Sequence, residues 1–186
     1  MSSLTRRLAA AASLLLLVAG IWALAVRLRP AVDGDRYSVF DGDTLELRPE
    51  HCLLATVGIG CLSQRLRLYG VDAFESKQTC RDPNGQIWPC GAVATERLRA
   101  LVAEPGFSCH VDREYVDRHA REFAFCLAGG RDVGALLVSE GLAFAYGRGA
   151  QYLSYEAEAR KDRRGAWAGG FAGFVRPQFF RLGASE

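Results

Sequence analysis

The sequence predicts an α+β fold in which one strongly curled sheet of five strands carries about three helices. Three observations support this: five short segments rich in β-formers, a helical apolar stripe placed after the third of them, and further helix signals toward the C-terminus. At 186 residues the chain can bury one real core, and its length gives no reason to divide it further.

Ahead of that unit, residues 8–26 form a run without a charge, preceded by Arg6 and Arg7. At about 1.5 Å per residue such a helix nearly spans a bilayer core. The cations favour keeping the N-terminus in the cytoplasm. The same run fits a secretory signal peptide, because Ala23, Leu24 and Ala25 look like a small-residue cleavage site. Residues 1–30 are therefore expected to be a membrane anchor or signal peptide, and 31–186 the folded domain. Localisation follows: membrane-anchored with an extracytoplasmic (periplasmic or extracellular) domain, or secreted after cleavage.

Residues 37–40, 44–47 and 65–69 read as the first three strands. In the third, Leu66 and Leu68 share one face while Arg65, Arg67 and Tyr69 share the other. Residues 107–111 and 123–127 supply two more, with Phe123, Phe125 and Leu127 alternating toward a core. Ala94, Leu98, Leu101 and Val102 form one helical stripe that ends near Pro105 and Gly106. Asp132 can N-cap a second helix, whose Val133, Leu136 and Leu137 face inward before Gly141 stops it. Tyr152, Tyr155 and Ala159 begin a third. A single small sheet hides its edges by curling, so the expected architecture is a closed five-stranded OB-type Greek-key β-barrel.

Six cysteines without a Cys-x-x-Cys spacing suit disulfides in an exported domain better than a thiolate metal site. Cys80 and Cys90 flank the turn-forming Asp82, Pro83, Asn84 and Gly85. Cys52 and Cys61 fall opposite each other if Leu47 opposes Leu66 in a hairpin, and Cys109 and Cys126 straddle a turn near Asp117. Three local bridges are expected: Cys52–Cys61, Cys80–Cys90 and Cys109–Cys126.

Lys and Arg number 23 against 21 for Asp and Glu, and without Arg6 and Arg7 the balance is even. A protein that coats nucleic acid nonspecifically needs a strong basic excess, so phosphate chemistry here requires a local cluster. Asp41 and Asp43 flank Gly42 at the mouth of a strand, as hard divalent cations require and as ordinary turns also do. Asp72 and Glu75 follow the strand that bears Arg67. If folding brings this strand end beside Asp43, the gathered carboxylates repel one another unless a cation intervenes. Arg67 and Arg121 can each donate paired hydrogen bonds to phosphate oxygens.

Several motifs in order resemble the thermonuclease, staphylococcal-nuclease-like family over residues 35–181. They are Asp41, Gly42, Asp43, Thr44; then Arg67 through Gly70, Val71, Asp72, Ala73, Phe74, Glu75; then Asp117, Arg118, His119, Ala120, Arg121; then Leu137 through Gly141, Leu142, Ala143; and Arg164, Gly165, Ala166, Trp167. The resemblance implies an OB-fold nuclease that hydrolyses DNA or RNA with Ca²⁺. It implies that Asp43, Asp72 and the backbone carbonyl of Ala73 bind the ion, with Asp41 behind them through water. Glu75 becomes the general base or water-orienting group, and Arg67 and Arg121 hold the scissile phosphate. Arg118, His119 and Tyr146 become substrate contacts. The chain departs from the family where Ala73 and Phe74 replace a frequent Thr-Pro and where His119 and Ala120 replace a frequent Tyr-Gly. Two other readings fit the sequence: a noncatalytic OB-fold nucleic-acid-binding module, and an exported disulfide-stapled calcium-binding or interaction protein.

Overall fold

The computed structural model of the chain describes residues 36–48 and 63–183. The expected N-terminal apolar helix and the Cys52–Cys61 bridge lie outside those residues. Among the described residues, no helix is long and apolar enough to cross a membrane.

Strands β1 (Tyr37–Val39), β2 (Thr44–Leu47) and β3 (Gln64–Leu68) form an antiparallel meander. The chain then leaves the sheet through β4 (Val71–Ala73), a short hairpin of β5 (Cys80–Arg81) and β6 (Ile87–Trp88), and helix α1 (Cys90–Val102). It returns as β7 (Ser108–Val116) and β8 (Glu122–Ala128), and β8 inserts parallel to β3 with Arg67 opposite Phe123. The order β1-β2-β3-β8-β7 contains the five expected strands, with β9 (Arg131–Asp132) paired to the end of β8. The expectation of a closed barrel is corrected: among the described residues β1 and β7 share no ladder, so the sheet is open between those two strands. Tyr37 meets Phe107 there edge to face, with ring centroids 5.2 Å apart.

Two further sequence expectations are corrected. Leu45, not Leu47, lies opposite Leu66, and Leu47 lies opposite Gln64. A two-residue shift preserves the facing of the leucines. In β8 the inward residues are Ala124, Cys126 and Ala128, while Phe125 and Leu127 are exposed. Phe123 and Phe125 instead meet Tyr69 outside the core. Small residues face inward because helix α2 (Val133–Ser139) packs against that side of β8, leaving no room for phenyl rings.

Helix α1 buries Ala94, Leu98, Leu101 and Val102 as its spacing predicts. Asp132 caps α2, its carboxylate accepting from the Ala135 N–H at 3.1 Å. The chain then forms β10 (Ala143–Ala145), which pairs with β4 and places Phe144 opposite Asp72. Nothing in the residue pattern points to that pairing. In the third helix, α3 (Leu153–Lys161), Ala159 is buried, but Tyr155 is exposed and Tyr152 precedes the helix in a 3-10 turn. Beyond the expected three helices stands a fourth, α4 (Pro177–Phe180), opened by proline at its first position, where no N–H is needed.

A second apolar cluster sits beneath this C-terminal segment. Phe74, Phe144, Trp167 and Phe174 pack there around the Cys80–Cys90 disulfide. Cys109 and Cys126 are direct partners across β7 and β8 and are likewise bonded.

Candidate active site

The tight turn between β1 and β2 aims Asp43 inward. Phe40 N–H and Asp41 N–H both donate to the Thr44 carbonyl, and the Asp41 carboxylate accepts from Asp43 N–H at 3.1 Å. Gly42 makes the turn possible, because a Cβ there would lie 2.8 Å from the Cβ of Ala73. The turn therefore lies directly against β4, whose first residues follow Arg67 by a single loop. Ala73 N–H completes the junction by donating to Asp43 Oδ2 at 3.1 Å.

From here a chain of acids and guanidinium groups runs across the rim of the sheet. Asp117 holds Arg121, with Nε donating to Oδ2 at 2.8 Å. Arg121 Nη1 donates to the Thr44 hydroxyl at 3.0 Å, and that hydroxyl donates to Asp43 Oδ1 at 2.9 Å. Arg67 Nη2 lies 3.0 Å from Asp43 Oδ2 and donates to Asp72 Oδ1 at 2.7 Å. Arg181 donates through Nη1 to Asp72 Oδ1 at 3.0 Å and to Glu75 Oε1 at 2.6 Å, and through Nη2 to Asp72 Oδ2 at 3.1 Å. The expected catalytic set of Arg67, Glu75 and Arg121 is thus physically linked with Asp43 and Asp72. Sequence reasoning missed Arg181 and named Thr44 and Asp117 only as motif members, without these bonds.

Asp43, Asp72 and Arg67 are buried, at 4%, 2% and 7% exposure. Burial pushes the Asp43 carboxyl up to about 7; Arg67 opposes the rise, while Asp41 and Asp72 add to it. Burial alone would lower Arg67, yet Asp43 and Asp72 hold it above its ordinary value. Burial would also lower Arg181, but hydrogen bonds to Asp72 and Glu75 outweigh that and raise it. Asp117 is lowered despite its burial, because the Arg121 side chain and the backbone N–H groups of Arg121 and His119 donate to it.

The Glu75 loop is held by its neighbours. Gln78 accepts from Glu75 N–H at 3.2 Å, and its own side-chain amide donates to the Val175 carbonyl at 2.6 Å. A Cβ on Gly91 would lie 1.7 Å from the Glu75 carbonyl oxygen, so only glycine lets α1 start this close to the loop. Phe74 fills the second apolar cluster, so packing performs the anchoring that a proline ring would have given.

Over the chain of charges opens a cleft of about 720 Å³, lined by Arg65, Arg67, Arg118, Arg121, Arg148 and Arg181 against Asp41, Glu75 and Asp117. Phe40 and Tyr115 stand at its walls, each with an arginine over its ring: Arg65 at 4.5 Å and Arg148 at 4.7 Å. Tyr146 and His119 also line it, and Arg118 donates to His119 Nε2 at 3.2 Å. A domain without an overall basic excess thus carries a local cationic surface of the kind phosphates require.

Among the described residues no three His, Cys, Asp or Glu side chains gather as a metal-holding group. Asp43 and Asp72 meet at one Arg67 nitrogen, and their hard oxygens are balanced by Arg67 and Arg181. Two buried carboxylates set side by side, with Asp41 behind them, are hard oxygen donors of the kind an oxygen-seeking divalent cation takes.

A sheet in OB order, with carboxylates and guanidinium groups alternating under a cationic cleft, defines a class of OB-fold proteins equipped to handle phosphate-bearing chains. Within that class, the chain belongs to the family described as staphylococcal nuclease homologue, whose model matches residues 65–169, more than half of its length. It is 31% identical over 149 residues to the micrococcal nuclease of Shigella flexneri, covering 73% of each chain. It is also 31% identical over 134 residues to the succinoglycan biosynthesis protein ExoI of Rhizobium meliloti (strain 1021), covering 70% of this chain and 62% of that protein. Membership places the chain among nucleases at the level of the family, with nucleic acid as the class of substrate.

Proposed function

We propose that the chain is a calcium-dependent nuclease that hydrolyses phosphodiester bonds of DNA, RNA or both outside the cytoplasm. The observation that carries this reading is the hydrogen-bonded series joining Arg121, Thr44, Asp43, Arg67, Asp72, Arg181 and Glu75 beneath one cleft. Arg67 and Arg121 donate to the non-bridging oxygens of the scissile phosphate and stabilise the charge that grows on them in the transition state. Glu75, at the edge of the cleft, orients a water and takes its proton as the water oxygen bonds to phosphorus and the bond to the leaving oxygen breaks. Asp43, Asp72 and the Ala73 carbonyl would hold the Ca²⁺, with Asp41 behind through water. When bound, that ion supplies Lewis-acid polarisation of the phosphate.

Phe40, Tyr115 and Tyr146 give the cleft apolar faces on which bases can stack, with Arg118 and His119 as further strand contacts. The location outside the cytoplasm is supported by the apolar run at residues 8–26 and by the two disulfides among the described residues, since such bonds persist in oxidising compartments. A membrane attachment through residues 1–30 belongs to this reading.

The test is incubation of the purified protein with single-stranded DNA and with RNA, with Ca²⁺ and with a chelator. Cleavage that requires Ca²⁺ and is lost in Glu75→Ala and Arg121→Ala is expected. Binding without cleavage would make the chain a nucleic-acid-binding module instead, and no affinity for nucleic acid would leave the calcium-binding reading.

A further inference from the structure

The C-terminal segment brings a third guanidinium into a site whose recognisable motifs end long before it. We propose that Arg181 is a positioning residue for hydrolysis: it bridges Asp72 and Glu75 and fixes the geometry between the ion-holding carboxylate and the water-orienting one. This inference rests on the nuclease reading of the same site.

The bridge is a fork. One nitrogen of Arg181 is shared between Asp72 Oδ1 at 3.0 Å and Glu75 Oε1 at 2.6 Å, and the other reaches Asp72 Oδ2 at 3.1 Å. A planar guanidinium with fixed donors sets both the distance and the relative plane of the two acids, which a point charge does not do. Asp72 is already locked from the other side by Arg67 at 2.7 Å. Glu75 is the freer of the two, half-buried in a loop, and Arg181 is the guanidinium that holds its carboxylate.

Arg181 is itself delivered by a docked segment. Phe174 is buried in the second apolar cluster, the Val175 carbonyl accepts from Gln78, Arg176 pairs with Glu156, and Pro177 is buried at the start of α4. Four successive residues are thus anchored just before Arg181. Gln78 joins the same segment to the Glu75 backbone, so the loop is fixed at its main chain by one contact and at its carboxylate by another. An arginine that merely closed a surface ion pair would need none of this. Its side chain is 30% exposed toward the cleft, so its removal leaves the core intact.

The experiment is steady-state kinetics of the full chain on a single-stranded DNA oligonucleotide with saturating Ca²⁺, comparing wild type with Arg181→Ala, Arg181→Lys, Glu75→Gln and the Arg181→Ala/Glu75→Gln pair. Arg181→Ala is expected to lower kcat about 10- to 100-fold, as loss of a group supporting the reacting residues does, while KM stays within about twofold. Lysine is expected to recover little of the loss, and guanidinium ion added well below denaturing concentrations to recover part of it. In the Glu75→Gln background, removing Arg181 should cost far less than in wild type, because its effect runs through Glu75. Melting temperatures of the Arg181 variants are expected to fall modestly at most, because Arg67 still pairs with Asp72, and to leave every variant folded at the assay temperature.

An unchanged kcat, or a rise in KM as the main effect, overturns the positioning role while leaving the nuclease reading intact; the second outcome would make Arg181 a substrate contact. Full additivity with Glu75→Gln overturns it as well. A wild-type protein that cuts no nucleic acid at any Ca²⁺ concentration overturns the nuclease reading, and this inference with it.

Discussion

Replacing Arg67 by methionine keeps most of the side-chain volume and removes the charge between two buried carboxylates. Asp43 and Asp72 would be left in a site from which water is excluded, at 4% and 2% exposure. Breaking a buried ion pair by removing one partner costs about 3–5 kcal/mol. Arg181 still compensates Asp72, so the lower end applies: about 3 kcal/mol, which for a chain of this size is a fall of about 6–12 °C in Tm.

The cost depends on pH in a definite direction. Asp43 is already raised to about 7 in the folded protein, against an ordinary value of 3.8, so the folded state holds a proton that the unfolded chain releases. In chelator, that contribution is fully present below about pH 4 and is lost as pH rises through about 7. Arg67 lowers the Asp43 value, so removing it carries Asp43 further up and places the added loss on the alkaline side. Urea melts at pH 5 and pH 8 in chelator would measure this, with the larger deficit at pH 8. Adding Ca²⁺ at pH 8 should restore part of it, since an ion that binds only the folded state stabilises by mass action. A deficit under about 1 kcal/mol at both pH values, or one equal at both, would refute the charge argument.

Three other outcomes test separate parts of the structure. Ala120 sits at φ 56, the left-handed region, in the turn that aims Arg121; Ala120→Gly should relieve about 1 kcal/mol of strain, partly offset by chain entropy, so a urea midpoint below that of wild type would count against it. Thr44→Val removes the hydroxyl between Arg121 and Asp43 and should lower kcat less than Arg121→Ala does, since it frees the guanidinium without deleting it; an equal loss would show that Thr44 matters in its own right. Cys80→Ser with Cys90→Ser opens a bridge spanning ten residues of sequence and should cost about 3 kcal/mol, read as a lowered urea midpoint that added reductant does not lower further through this pair.

The acidic and basic residues of the site were legible where they lie in short motifs. Asp41 and Asp43 flank one glycine, Asp72 and Glu75 follow Arg67 within eight residues of it, and the turn at Asp117 fixes Arg121 locally. Arg181 was not legible, because its partners lie 106 and 109 residues earlier and only the docking of the C-terminal segment brings them together. The β8 strand shows a different limit. Its alternation was visible, but alternation gives the period and not which set faces inward. Ala124, Cys126 and Ala128 alternate as regularly as the phenylalanines, and the close approach of α2 selects the smaller set. The β4 and β10 strands were missed because three residues carry too little pattern, although their pairing sets Asp72 against Phe144.

The parallel pairing of β3 with β8 has a consequence for the order in which the protein comes to exist. Leu66 and Glu122 are direct partners, so every residue between them must be synthesised before that ladder can close, and Arg67 has no access to Arg121 until then. Arg181 arrives later still, well after Glu122 has been added. A nascent or truncated polypeptide that stops short of Arg181 therefore holds the separate acids and bases without their shared arrangement.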